Sequence, residues 1–136
     1  MSTVWAARRY LDTPYRHQGR RMGVGIDCVG LLICVARDLG KIAPDWDVTG
    51  YARIPDGVQL LRHLDENLDT VSQADMAPGD IVCVAFQDWP QHVGIVGDYA
   101  HGGLSIIHAA IKARRVVEHR LLFARAMRFV SAFRFR

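Results

Sequence analysis

Three side chains in this sequence have the types and spacing for covalent chemistry: Cys28, His92 and His108. Cys28 stands in "GIDCVGLLICVARDLG", residues 25–40, where Asp27 can cap a helix and Gly40 can end it. A thiol attacks only as thiolate, and its ordinary pKa of about 8.5 falls at a helix N-terminus or beside an imidazolium. The unpaired amides of a first turn would favour a negative sulfur, and could also hold an oxyanion. His92 and His108 lie in "QHVGIVGDYAHGGLSIIHAA", which reads as a hairpin turning around "DYAHGG". Folding it about position 100 sets His92 opposite His108, on one face and at the end far from the turn. A slip of one residue would break that arrangement. If it holds, one histidine can take and return the thiol proton while the other orients it.

Each residue also has a bland reading. A free cysteine is commonly a small buried hydrophobe, and Cys34, inside the helix, and Cys83, inside "IVCVAF", are read that way. His101 falls at the turn, and His17, His63 and His119 lack a comparable context, so none is taken as a site residue. Cys28, His92 and His108 could instead supply the three protein ligands of a catalytic zinc. The short paired spacing common in zinc sites is absent, so no metal and no cofactor are expected.

The elements that would position these groups divide by half. Residues 2–11 predict a short helix closed before Pro14, and "RHQGRRMGVG" a loop. The helix after Asp27 puts Cys28, Leu31, Leu32, Val35 and Leu39 on one face. After the loop "KIAPDWDVTGYARIP", Asp56 is expected to cap a second helix facing Leu60, Leu61, Leu64 and Leu68 to the core. From "APGD" the period becomes two. Strands are predicted at 80–86, 92–98, 104–109, 114–119 and 127–135, the last alternating Met127, Phe129, Phe133 and Phe135 against Arg128, Val130, Ala132 and Arg134. The fold class is α+β, with N-terminal helices packed on five mostly antiparallel strands in sequential, meander order.

The 136 residues suit a single domain, 1–136. Arginines crowd both ends and the net charge is +3, but aromatic and basic residues are not interleaved as in single-strand binders, so nucleic acid is not an expected partner. Three cysteines without repeated spacing do not read as a disulfide framework. Neither a signal peptide nor an apolar run of membrane-spanning length is seen, so synthesis in the cytoplasm and no membrane partner are expected.

"TPYRHQG…GIDCVGL", "MAPGDIV", "QHVGIVGD" and "IIHA" together resemble the NlpC/P60 cysteine peptidases, in order and over nearly the whole chain. The resemblance implies a papain-like fold and hydrolysis of peptidoglycan stem-peptide amide bonds, typically between D-γ-glutamyl and a diamino acid. It makes Cys28 the nucleophile, His92 the base and His108 the orienting residue. Tyr15 matches the family's tyrosine near the sulfur, with a role toward substrate or oxyanion, and Asp27 is given only the capping role. "DVTGYARIPDG" and the lack of an attached domain resemble the branch found in bacteriophage tails and gene transfer agents. That branch implies a place in the virion tail, acting on the wall, with other tail proteins as partners.

Val29 stands where the family usually has Ser, and "HQGRR" replaces paired glycines, which bears on the substrate pocket more than on the nucleophile. Arg16, Arg20 and Arg21 could meet stem-peptide carboxylates or be solvated. Two other functions stay open: a tail assembly component with this fold and little or no catalysis, and an amidase or acyltransferase using the same residues.

Overall fold

The structure, a computed structural model, describes residues 1–48, 51, 57–86 and 92–136. Ser2 caps α1 (Thr3–Arg8) through the Trp5 amide, and this helix is shorter than the sequence suggests because Arg9 to Asp12 continue only as turns. A two-stranded ribbon, β1 (Arg20–Arg21) and β2 (Gly25–Ile26), then leads into α2 (Cys28–Asp38). Asp27 accepts the Gly30 amide as the helix cap, and Gly40, at φ 68°, takes the left-handed position just beyond the end. The helix α3 (Gly57–Asn67) buries Leu60 and Leu64, with Leu68 just beyond it, as its spacing requires. The expected cap, Asp56, lies outside the described residues.

The main sheet has six strands rather than five: β3 (Asp69–Val71), β4 (Ile81–Phe86), β5 (His92–Asp98), β6 (Leu104–Ala110), β7 (Arg115–Arg120) and β8 (Met127–Arg134). Their spatial order is β3-β8-β4-β5-β6-β7, and all pairings are antiparallel. Strands β4 to β7 form the expected meander, but β8 returns to lie between β3 and β4. At the β4 entrance, Gly79 takes φ 97° in the "PGD" turn, and Asp80 holds the Ala77 amide and the Arg134 guanidinium.

The two faces of the sheet bury different sets. On the helical face, Ile81, Cys83, Val93 and Phe133 pack with Cys28, Leu60, Leu64 and Leu68, while Ile95, Ile107 and Ala109 pack with α1 and α2. On the other face, Val82, Val84, Val96 and Ile106 meet Leu121 and Met127. A fully buried side chain such as Phe133 or Ile81 contributes about 1.5–3 kcal/mol. The alternation expected for the last strand does not run through it. The register between β4 and β8 shifts between Cys83 and Val84, which face Ser131 and Phe129, so Val130 is an extra residue. That bulge sends Phe129 and Phe133 to opposite faces.

Candidate functional site

Cys28 begins α2 and is 6% exposed, packed against Cys83 and Val93. Its helix can start here because Gly30 has no Cβ: one would collide with the Gly19 carbonyl oxygen and stand 3.0 Å from Asp27 Oδ1. Asp27 does far more than cap. Besides the Gly30 amide at 2.7 Å, its buried carboxylate accepts the Gln18 amide at 2.7 Å, Arg20 Nη1 at 3.1 Å and the Tyr51 hydroxyl. Arg20 also pairs with Asp47 and reaches the Val48 carbonyl, so it is committed inside the protein and is not free to meet a substrate carboxylate. Arg21 is exposed, and Arg16 lays its aliphatic stem over Gly25.

The thiol is not the lowered-pKa group that its place at a helix start suggests. Burial and then the Asp27 carboxylate push the Cys28 thiol up, to about 12. The amides of Val93 and Val29 point hydrogen bonds at the sulfur and oppose this, but two amides do not offset desolvation plus an adjacent negative charge. The resting group is a neutral thiol.

His92 and His108 are both buried and joined directly, Nε2 of His92 to Nδ1 of His108 at 2.8 Å. They share a face, as the hairpin reading requires, but they are not opposite one another. The turn centres on His101, with Gly102 and Gly103 at positive φ, and pairs Ile95 with Ile107 and Val96 with Ile106. His108 therefore lies across from Gly94, two residues along from His92. A Cβ on Gly94 would come within 2.7 Å of Ile106 Cγ1 and 3.1 Å of His108 Cβ, so this glycine leaves room for Ile106 and His108. A slip of two preserves the face where a slip of one would not. Burial drives the His92 pKa down to about 4 and, with the neighbouring imidazoles, lowers that of His108 still further. At neutral pH both rings are uncharged.

The sulfur and the imidazoles approach one strand end from different sides. Val93 faces α2 with Cys28, while His92 is paired with Val84 and its ring lies 5.2 Å from that of Phe86. Cys28 thus touches β5 at the amide next to His92. Tyr15 is half-buried at the margin of the α1 and α2 core. It bridges Ile26, two residues before the sulfur, and its amide bonds the Arg114 carbonyl at 2.8 Å. Cys34 and Cys83 are buried in the core, as expected. Among the described residues no group of three or more His, Cys, Asp or Glu side chains is arranged to hold a metal ion.

Two residues escaped the sequence reading. Tyr51, which donates to Asp27 and accepts from Arg20 Nη2 at 2.8 Å, had no local signal. His119 lies 2.9 Å from His108, Nε2 to Nε2, and did have one: the parity argument applied to the first hairpin also puts it on the face of His108 in the second.

Comparison with known proteins gives a consistent picture. A family model described as the NlpC/P60 family matches residues 12–128. The NlpC/p60 domain of the peptidoglycan hydrolase SagA superposes with a TM-score of 0.61 at 22% identity, covering 97% of this chain and 95% of that one. NlpC2 from Trichomonas vaginalis gives 0.68 at 19% identity, covering 98% of this chain and 45% of its own. An N-acetylmuramoyl-L-alanine amidase from Bacteroides uniformis ATCC 8492 gives 0.56 at 12% identity, covering 99% of each. No curated protein matches the sequence.

Proposed function

The chain belongs to the NlpC/P60 family, and from that premise we propose that it is a cysteine peptidase hydrolysing amide bonds in peptidoglycan stem peptides, at the link between D-γ-glutamyl and a diamino acid. The observation that carries this reading is the 2.8 Å bond between His92 and His108 at the strand end whose next amide holds the Cys28 sulfur. In the reaction, His92 Nδ1 takes the Cys28 proton as the sulfur attacks the carbonyl carbon. Since the thiol is neutral at rest, proton transfer accompanies attack rather than preceding it. In this reading the first-turn amides and Tyr15 serve the developing oxyanion, the role the family resemblance gives Tyr15. The imidazolium then protonates the leaving amine, and a thioester forms on Cys28. A water that gives its proton to His92 splits the thioester, releasing the carboxylate and the free thiol. The transfer needs Nδ1 within hydrogen-bond reach of Sγ, a contact that often tightens only when substrate is bound.

The setting we propose is a bacteriophage tail, where the enzyme opens the wall locally during genome entry beside other tail proteins. The resemblance of the "DVTGYARIPDG" segment supports it. Single-domain organisation over 1–136, with no cofactor, belongs to the same reading.

A second reading, a tail assembly component of this fold with little catalysis, draws support from the buried, high-pKa thiol. Mass spectrometry of muropeptides after incubation with the wild-type chain and with Cys28→Ala separates the two. Fragments split within the stem peptide and absent with the variant support the peptidase. Unchanged digests, together with tail assembly that is indifferent to Cys28→Ala, favour the assembly role. Cleavage between muramic acid and the first alanine would make it an amidase.

A further inference from the structure

The histidine pair continues into a third ring that the peptidase chemistry does not use. His108 Nε2 lies 2.9 Å from His119 Nε2, and His119 Nδ1 lies 3.0 Å from the Arg120 carbonyl oxygen. The rings of His92, His108 and His119 stand edge-on in succession, with centroids 5.0 and 4.9 Å apart. Their backbone positions make a diagonal across β5, β6 and β7. His108 pairs with Val117, so His119 sits two residues along, as His108 does relative to His92. Two equal diagonal steps hold all three rings on one face.

The last bond in the series fixes the direction of the others. A carbonyl oxygen carries no hydrogen, so His119 Nδ1–H must be the donor to Arg120. In a neutral ring that leaves His119 Nε2 as an acceptor, which requires His108 to carry its proton on Nε2. His108 Nδ1 is then an acceptor in turn, and it takes its hydrogen bond from His92 Nε2–H. The lone pair of His92 is left on Nδ1, the nitrogen a base toward Cys28 must use.

We infer that His119 is a positioning residue: anchored on the Arg120 carbonyl, it sets the tautomers of His108 and His92 and keeps His92 Nδ1 free to act as base. This rests on the proposed peptidase reading for its consequence in catalysis, but the tautomer series stands on the hydrogen-bond geometry alone. The exposure of His119 on β7, the last strand of the sheet, makes the position replaceable without disturbing the core.

The test compares the wild-type chain with His119→Phe, which removes the acceptor, and His119→Gln, whose side-chain oxygen can restore it. Nitrogen-15 NMR of histidine-labelled protein reads the protonated nitrogen of each ring and needs no activity. The expected result is Nε2–H on His92 and His108 in the wild type, a shift toward Nδ1–H in His119→Phe, and recovery in His119→Gln. On a stem-peptide substrate, kcat should fall about fivefold with KM unchanged in His119→Phe, the loss set by the net worth of one neutral hydrogen bond, and return in His119→Gln. Unaltered tautomers in His119→Phe overturn the inference, whatever happens to activity. If the wild type shows the expected tautomers but cleaves no stem peptide, the peptidase reading fails while the positioning role survives.

Discussion

His92 Nε2 and His108 Nδ1 are 2.8 Å apart, although the two residues are offset by two along their paired strands. The rings meet edge to face, with an interplanar angle of 77°, and Gly94, across from His108, leaves room for the His108 side chain. The diagonal arrangement aims one ring nitrogen at the other.

If His108 orients His92, removing its acceptor should cost turnover more than binding. His108→Ala is expected to lower kcat about 100-fold with little change in KM, while His108→Asn, which can still accept, recovers part of the loss. Steady-state kinetics on a stem peptide check this. Equal activity in both variants would mean the bond has no part in catalysis.

The buried histidines make stability depend on pH. Unfolded imidazoles bind protons below about pH 6.5, whereas burial keeps folded His92 neutral down to about 4, and His108 lower still. The unfolded chain therefore holds more protons throughout this window, so stability is complete above about pH 6.5 and declines as the pH falls toward 4. The slope approaches about 1.4 kcal/mol per pH unit for each histidine. Thermal unfolding between pH 7.5 and 4.5 should show a falling midpoint, and the fall should shrink in a His92→Gln, His108→Gln double variant. A midpoint that rises on acidification would contradict the assignment.

The carboxylate of Asp27 stabilises the loop and handicaps the thiol at once. Asp27→Asn keeps the cap but loses the charge facing Arg20 Nη1 and the Tyr51 hydroxyl, and is expected to cost about 1–3 kcal/mol of stability. The same change removes a negative charge that raises the Cys28 pKa. Alkylation of Cys28 by iodoacetamide at pH 8 should therefore speed up, although burial, the larger cause, keeps the thiol pKa raised. In the wild type, the alkylation rate should climb through pH 9 without a plateau. A plateau near neutral pH would identify a preformed thiolate.

Gly94→Ala tests the space kept for His108. Its methyl would press on Ile106 Cγ1 at 2.7 Å and on His108 Cβ at 3.1 Å. Overpacking of this kind is expected to cost about 1–3 kcal/mol, with kcat falling further than the stability loss explains because His108 moves. Urea unfolding beside steady-state kinetics reads both effects. An active variant of wild-type stability would show that β6 can yield there.

Much of the site was legible because its signals are local. Asp27 and Gly40 bracket α2 with groups only a helix end needs, and the parity of His92 and His108 survives any even error in register. The centre of the turn was missed by one residue: Gly102 and Gly103, both in left-handed backbone, move it from position 100 to His101. Features built from distant segments left no local trace. β8 lies beside β4 because Phe133 and Ala132 complete buried layers on the two faces, a pairing no short window encodes. The bulge at Val130 hides inside a clean alternating pattern. Tyr51 meets Asp27 at a separation of 24 positions, with the whole of α2 between them. The raised pKa of Cys28 follows from how completely α2 and β5 cover the sulfur, which spacing does not report.

A cysteine peptidase must carry the acyl group on the Cys28 sulfur during turnover, and acid-quench mass spectrometry can catch it there. A synthetic stem peptide with a D-γ-glutamyl–diaminopimelate bond is mixed with the protein, stopped in acid within seconds, and the cysteine peptides are mapped. The expected product is the N-terminal fragment of the substrate, less water, attached as a thioester to Cys28 alone, and absent in His92→Ala. Cleavage of the peptide by folded protein with Cys28 unmodified at every time point, or retained cleavage in Cys28→Ala, would contradict it.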